Sequence, residues 1–411
     1  MTDLSVPGRR PRRWRDVGPW TWDADPTVRG RGRSERRDVS IFRPRVDPVW
    51  RHVDLLLLLS AAGISALGAL MVLSSTRGTD PDSYDVSYLQ RQLVFIGIGV
   101  ACMVLVASVD YRRLRDRGWL GYLLTVLLLV LVLSPLGTER SGTQAWFQIG
   151  AFQLQPAELA KLGVVVAMSA VLASRDLPLQ ARWVGVALGV LAIPMGLILA
   201  QPDVGTALVF VGIAIGILLV AGVEIRHLVV IVAVGILAVV WVLNSQMLED
   251  YQRARLTTFL DQGSGDDGDG YNLDQAMIAV GSGGPDGRGL FNGTQTRLGI
   301  VPEQHTDFIF TALGEELGFA GSATMLGLFF VLCWRTWRTA QLARDRFGML
   351  LCVGVLSMLV FQVFQNVGMT LGIMPITGIP LPFMSYGGSS TLTAWIAVGL
   401  VLNVHMRRFR S

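Results

Sequence analysis

Ten stretches of about twenty mainly apolar residues recur along this chain, near 52–75, 89–109, 118–135, 157–174, 183–200, 204–222, 228–244, 319–337, 348–371 and 389–405. A helix rising 1.5 Å per residue needs a run of that length to cross the hydrocarbon of a bilayer. The expected fold class is therefore all-α: a polytopic integral membrane protein with about ten transmembrane helices. Composition agrees, with 51% hydrophobic residues, 16% charged residues and a mean hydropathy of +0.48.

An even number of spans puts both termini on one side, and the arginines decide which. Arg112, Arg113, Arg115 and Arg117 follow the second span, Arg175 and Arg182 the fourth, and Arg226 the sixth. Arg335, Arg338, Arg344 and Arg346 follow the eighth, and Arg407, Arg408 and Arg410 close the chain. Each of these connections falls on the side of the N-terminal tail, so both termini are expected to be cytoplasmic. Residues 1–51 hold thirteen arginines against seven acids, so the rest of the chain is slightly acidic despite a net charge of +4. This Arg/Pro-rich tail has almost no apolar periodicity and cannot bury enough surface to fold alone. It reads as a disordered cytoplasmic segment that touches anionic membrane lipids rather than as a nucleic-acid arm. It also lacks the apolar core and cleavage site of a secretory signal, so the first span is expected to stay in the mature protein.

Cys102, Cys333 and Cys352 lie inside or beside apolar runs, where a thiol behaves as a small hydrophobe. His52, His227, His305 and His405 are scattered at segment ends without metal-ligand spacing. Neither a disulfide framework nor a histidine-built metal site is indicated.

The expected external loops are 76–88, 136–156, 201–203, 245–306 and 372–388. The loop at 245–306 far exceeds ordinary connections, and loops of that length are usually functional or disordered. Leu248, Tyr251, Leu256 and Phe259 share one side of a helical wheel, which predicts an interfacial helix before the acidic, glycine-rich stretch Gly263–Gly270. The basic residues 407–411 form the C-terminal end.

Ionisable groups at or within spans are costly to hold there and are functional candidates by default. Lys161 is the single lysine of the chain and lies in the fourth span, one turn after Glu158. At that spacing the two meet on one helix face. Two readings stay open: a structural ion pair, or an ammonium that meets an anionic substrate group. Asp203, in Gln201-Pro202-Asp203, stands at a helix N-terminus where a plain capping role suffices. Asp307 ends the segment Val301-Pro302-Glu303-Gln304-His305-Thr306-Asp307 and is expected in the first turn of the eighth helix. There a carboxylate meets the helix dipole favourably without doing any chemistry. Below it Thr311, Gly314 and Gly318 make a strip of small residues, which either packs against another helix or leaves a groove for a ligand. Glu315 and Glu316 require partners of their own.

The segment Gly372 to Ser390 carries three prolines after Met374, several glycines and no charge, so it cannot be a regular helix. Such backbone is tolerated near a membrane when it is buried in protein or lines a wet cavity. Ser385 and Tyr386 are thereby expected to face a cavity shared with Asp307.

Taken together, Gln155-Pro156-Ala157-Glu158-Leu159-Ala160-Lys161, Gln201-Pro202-Asp203-Val204-Gly205-Thr206, the 301–318 segment and Asn366 through Ser390 resemble the SEDS family (shape, elongation, division and sporulation) of RodA and FtsW type. The resemblance covers about 52–406 and leaves out the tail. Tyr251-Gln252-Arg253-Ala254-Arg255, Gly281-Ser282-Gly283-Gly284 and Gly293-Thr294-Gln295 look like the elongation-type, RodA branch. Gly263–Gly270 departs from the family pattern.

The resemblance implies a peptidoglycan glycosyltransferase that joins lipid II units at the external face of the bacterial plasma membrane, working with a class B penicillin-binding protein. It also implies that the acid at the position of Asp307 is catalytic. Transfer from an α-linked lipid donor to a β-linked glycan is one inversion and needs one base. The undecaprenyl diphosphate leaving group needs positive charge, from Arg253, Arg255, Arg297, Lys161 or a divalent cation. No cofactor beyond that possible cation is indicated. Rival readings are a flippase for the lipid-linked precursor, which needs a polar path to the cytoplasmic face, a division-type polymerase, and a scaffold for a partner.

Overall fold

The computed structural model describes residues 52–77, 85–140, 143–150, 152–175, 177, 179–244 and 269–408. The tail 1–51, the expected interfacial helix around Tyr251 with Arg253 and Arg255, and residues 409–411 lie outside the described residues. The helices run α1 (Leu55–Thr76), α2 (Ser87–Ser108), α3 (Tyr111–Val132), α4 (Pro156–Ala173), α5 (Ala181–Leu199), α6 (Val204–Val220) and α7 (Ile225–Asn244). They continue as α8 (Asp269–Ser282), α9 (Thr294–Leu298), α10 (Ile309–Gln341), α11 (Arg346–Thr370) and α12 (Gly388–Met406).

All except α8 and α9 correspond to the expected spans. Seven of them, α1, α2, α4, α5, α10, α11 and α12, are long and apolar enough to cross a membrane by length and composition. In α3 the first turns carry Arg112, Arg113, Arg115 and Arg117, so only the later part is apolar. Helices α4, α11 and α12 are the most enclosed, whereas α2 and α3 present Leu93, Ile98, Leu105, Leu123 and Leu127 outward. Between lipid chains such a surface needs no further burial.

The all-α expectation omitted one feature. Between α3 and α4 the chain forms a small antiparallel sheet of order β1-β2-β3, with β1 at Thr138–Arg140, β2 at Thr143–Ile149 and β3 at Phe152–Leu154. Trp146 pairs with Thr138 and Phe147 with Leu154. Aromatic and β-branched residues in β2 favour a pleated, half-buried surface. The sheet leads Gln155 to the start of α4, where its amide donates to Ser389 Oγ at 2.9 Å.

Polar contacts gather at the two ends of the helices. At one end Arg335 pairs with Asp54 at 2.7 Å, Tyr111 donates to Asp345 at 2.8 Å, and Arg346 donates to the carbonyls of Arg175 and Ala221. These are the arginine-rich ends of the sequence. At the other end Ser74 meets Glu316, Gln92 meets Ser385, and Asn366 meets Asp307. Alternating spans require this segregation.

Candidate active site

Asp307 does not lie in a helix. The helix α10 begins at Ile309, and Asp307 belongs to a preceding turn in which the amides of Thr306, Asp307 and Phe308 all approach the Glu303 carbonyl, at 3.2, 3.1 and 3.4 Å. Glu303 adopts φ +47°, a left-handed conformation that interrupts a continuous helix and corrects the expected first-turn placement. Asp307 is half-buried. Its Oδ2 faces Gly378, where a Cβ would stand 3.1 Å away, and Gly378 has φ +66°. Glycine therefore serves twice there, admitting the backbone conformation and leaving room for the carboxylate.

The Pro/Gly segment is buried in protein, as expected for irregular backbone at this depth. Ile379, Leu381, Phe383 and Met384 are each at most 3% exposed. Gly68 of α1 approaches the Met384 backbone and Gly205 of α6 the Thr377 carbonyl, each so closely that a Cβ would clash. Asn366 of α11 donates to the Ile379 carbonyl at 2.8 Å, and Gln92 of α2 to that of Ser385 at 3.2 Å. Four helices thus fix the wall that Asp307 faces.

Of the two readings for the small-residue strip, tight packing holds. Gly318 has φ +62° and ψ −156°, which breaks α10. The backbone groups freed by the break pair with the turn after α8: Phe319 and Ala320 donate to Gly284 and Pro285, while Arg288 and Gly289 donate to Glu315 and Glu316. Two amides and two carbonyls at the break are thus answered, as buried peptide groups demand. Gly283 lies against the Gly314 carbonyl with no space for a side chain. Both acids find partners. Glu315 accepts the amides of Gln295 and Thr296 at 2.8 and 2.9 Å, and Glu316 accepts Ser74 Oγ at 2.5 Å.

Glu158 and Lys161 form an ion pair of 2.6 Å, with side chains 3% and 1% exposed. Asp203 caps α6, accepting the Thr206 amide at 2.9 Å, and its other oxygen lies 3.4 Å from Gln155 Nε2. Burial pushes its carboxyl above the ordinary carboxylate range, against the lowering effect of the Thr206 hydrogen bonds and the Lys161 charge. Gly205, behind Asp203, touches the same segment that meets Asp307. The α6 start and the Asp307 turn therefore flank one shared wall.

Ser385 does not face a cavity: its Oγ is turned inward to accept the Leu381 amide at 2.8 Å, and the residue is 1% exposed. Tyr386 is half-buried, packs edge to face on Tyr88 at 5.1 Å, lies 5.6 Å from the His305 ring, and donates its amide to the His305 carbonyl at 2.9 Å. Arg297 is exposed on α9. An apolar groove of about 410 Å³ between α10 and α11, lined by Leu326, Phe330, Val360, Phe364 and Leu371, offers almost no polar surface for sugar chemistry. Among the described residues no group of three or more His, Cys, Asp or Glu is placed to hold a metal ion.

Sequence reasoning assigned no role to Asn366, Gln304 or Thr296. The signal for Asn366 was available, because Gln365-Asn366 interrupts an apolar span, and such polar residues seldom lack a task.

The fold and site define a polytopic membrane protein whose helices enclose a carboxylate-bearing turn and an irregular Pro/Gly segment at one end. Residues 54–409 match the cell cycle protein family named for FtsW, RodA and SpoVE. The chain is 38% identical over 356 residues to stage V sporulation protein E of Bacillus subtilis, covering 85% of this chain and 96% of that one. It is 34% identical to the peptidoglycan glycosyltransferase MrdB of Escherichia coli K12, covering 87% and 94%. A solved structure from a peptidoglycan synthase complex that coordinates polymerization and crosslinking superposes with a TM-score of 0.74 at 34% identity, covering 87% and 99%. The chain belongs to this family.

Proposed function

We propose that this peptidoglycan glycosyltransferase polymerises lipid II at the external membrane face, in the elongation-type role, with Asp307 as its general base. The carboxylate takes the proton of the incoming GlcNAc 4-hydroxyl as that oxygen attacks the anomeric carbon of the growing chain. The new C–O bond forms with inversion, and the electron pair of the broken bond leaves with undecaprenyl diphosphate. One base suffices for a single displacement.

The observation that carries this reading is a half-buried carboxylate held against a rigid, uncharged wall at the end of the helix bundle opposite the arginine-rich connections. With the arginines cytoplasmic, that end is external. Positive charge for the leaving diphosphate comes from Arg297, with Arg253 and Arg255 in the same loop, since Glu158 already neutralises Lys161. Glycan yield with and without a chelator measures any divalent-cation requirement.

Flipping would need polar groups along the way to the opposite face. Among the described residues the ion pairs lie towards the two ends, and the helices between them bury Val164, Val165, Ile213 and Val355 together with uncharged hydroxyls such as Ser65 and Ser169, which favours the enzyme. One solved relative comes from a complex that couples polymerization to crosslinking, which supports a crosslinking partner of the class B penicillin-binding type.

The test is purified protein with lipid II, with and without a class B penicillin-binding protein, comparing wild type with Asp307→Asn. Glycan product from wild type alone or with the partner, and a loss of about 10²-fold or more in Asp307→Asn, is expected. Near-normal synthesis by Asp307→Asn overturns the base assignment.

A further inference from the structure

Beneath Asp307 runs a buried chain of hydrogen bonds that the proton transfer itself does not use. The side-chain nitrogen of Gln304 donates to Thr296 Oγ1 and to Thr311 Oγ1, each at 3.0 Å. Both of its hydrogens are spent. Each threonine hydroxyl, having accepted one bond, donates its single hydrogen onward: Thr296 to Glu315 Oε2 at 2.8 Å, and Thr311 to the Phe308 carbonyl at 2.7 Å. Glu315 is the terminus, a carboxylate that also accepts the amides of Gln295 and Thr296. Thr296, Gln304, Thr311 and Glu315 are 3%, 4%, 0% and 0% exposed, so water does not compete for these bonds.

Each bond in this chain has one donor and one acceptor. The Thr296 hydroxyl donates to Glu315 and the Thr311 hydroxyl to the Phe308 carbonyl, which accepts only, while the amide nitrogen of Gln304 supplies both remaining bonds. These four bonds tie the turn to α9 and α10, and the Gln304 Oε1 beside them is buried without a hydrogen-bond partner of its own. Gln304 and Phe308 stand on either side of Asp307, so the network clamps the turn at both flanks of the carboxylate. Gln304 also ties that turn to α9, whose N-terminal amides rest on Glu315.

We infer that Gln304, Thr296 and Thr311, anchored on the Glu315 carboxylate, are positioning residues that set Asp307 for proton transfer. The inference rests on the reading of Asp307 as the base. Displacing a reacting group by about 1 Å costs on the order of 10²-fold in rate, so loss of one bond here is read in turnover and not in substrate capture. A packing role predicts the opposite pattern, in which shape matters and the hydroxyl does not.

Thr311→Val keeps the shape and removes the hydroxyl, while Thr311→Ser keeps the hydroxyl and removes a methyl. The full chain with its crosslinking partner is assayed on lipid II for kcat and KM, alongside Asp307→Asn and the melting temperature of each variant. The expected result is a kcat lower by about 10- to 100-fold in Thr311→Val at a KM within about twofold, with Thr311→Ser close to wild type. Equal kcat in the Val and Ser variants, with Asp307→Asn inactive, overturns the positioning role alone. Activity in Asp307→Asn overturns the base reading and this inference with it. If Thr311→Val does not fold, Gln304→Asn, which keeps both donors but shortens their reach, replaces it. Wild-type kcat in that variant overturns the inference.

Discussion

The side-chain nitrogen of Asn366 holds the backbone carbonyl of Asp307 at 2.7 Å while donating its second hydrogen to Ile379 at 2.8 Å. One buried amide thereby sets the distance between the acid-bearing turn and the wall it faces. Asn366→Ala leaves two carbonyls without this donor, at about 1–3 kcal/mol for each that stays buried and unpaired. A lower melting temperature in detergent and a fall in glycan yield beyond the loss of folded protein are expected. Wild-type specific activity in the folded fraction would show that the bridge is dispensable.

Gly378→Ala tests the other side of the same gap. A Cβ at this position adds left-handed strain of about 1–2 kcal/mol and stands 3.1 Å from Asp307 Oδ2, so the carboxylate must shift. Turnover is expected to drop at least tenfold, in line with the sensitivity of proton transfer to small displacements. Gly189→Ala, on α5 where a Cβ meets nothing within 4 Å, is the matched control and should leave polymerisation unchanged.

Spans were legible in the sequence because a bilayer enforces one length and one polarity on every crossing, and the ten apolar runs become ten long helices. The turn before α10 was not, because the left-handed backbone at Glu303 has no marker in a segment otherwise suited to a helix start. Charge drew attention to Asp307, Glu158 and Lys161, yet uncharged amides hold the site together. Gln304 and Asn366 act across 7 to 59 residues of sequence, as in Gln304 to Thr311 and Asn366 to Asp307. The Gln304 bond to Thr296 also brings in the segment after α8, which docks where α10 breaks at Gly318. The strip Thr311, Gly314, Gly318 told of close approach but not of what approached. Ser385 was misjudged for a related reason: in a Pro/Gly segment a hydroxyl is as useful for closing a turn as for touching a ligand.

Lys161→Ala leaves Glu158 as an uncompensated buried carboxylate and is expected to destabilise the protein by about 3–5 kcal/mol. Replacing both partners by uncharged residues of similar volume, Glu158→Gln with Lys161→Met, should recover most of that loss, because the two charges no longer need each other. Thermal melts of the single and double variants check this. Polymerisation that stays absent in a double variant of restored stability would assign the ammonium to the substrate; recovered polymerisation makes the pair structural.

Asp203 gives the structure a pH dependence whose sign can be worked out. Its folded-state pKa lies above the ordinary 3.8, chiefly through burial. Below pH 3.8 the carboxyl is protonated in both states and its contribution to stability is fully present. As pH rises from 3.8 through the folded value, the unfolded chain releases this proton before the folded one, and that contribution is lost. Asp203→Asn cannot ionise, and asparagine caps a helix about as well as aspartate. The difference in melting temperature, variant minus wild type, should therefore increase with pH across that window and level off above it. Titrating groups that are not coupled to Asp203 are common to the two proteins and cancel in the difference. A difference that stays flat from about pH 3.5 to 7 would mean that burial does not hold the proton on Asp203.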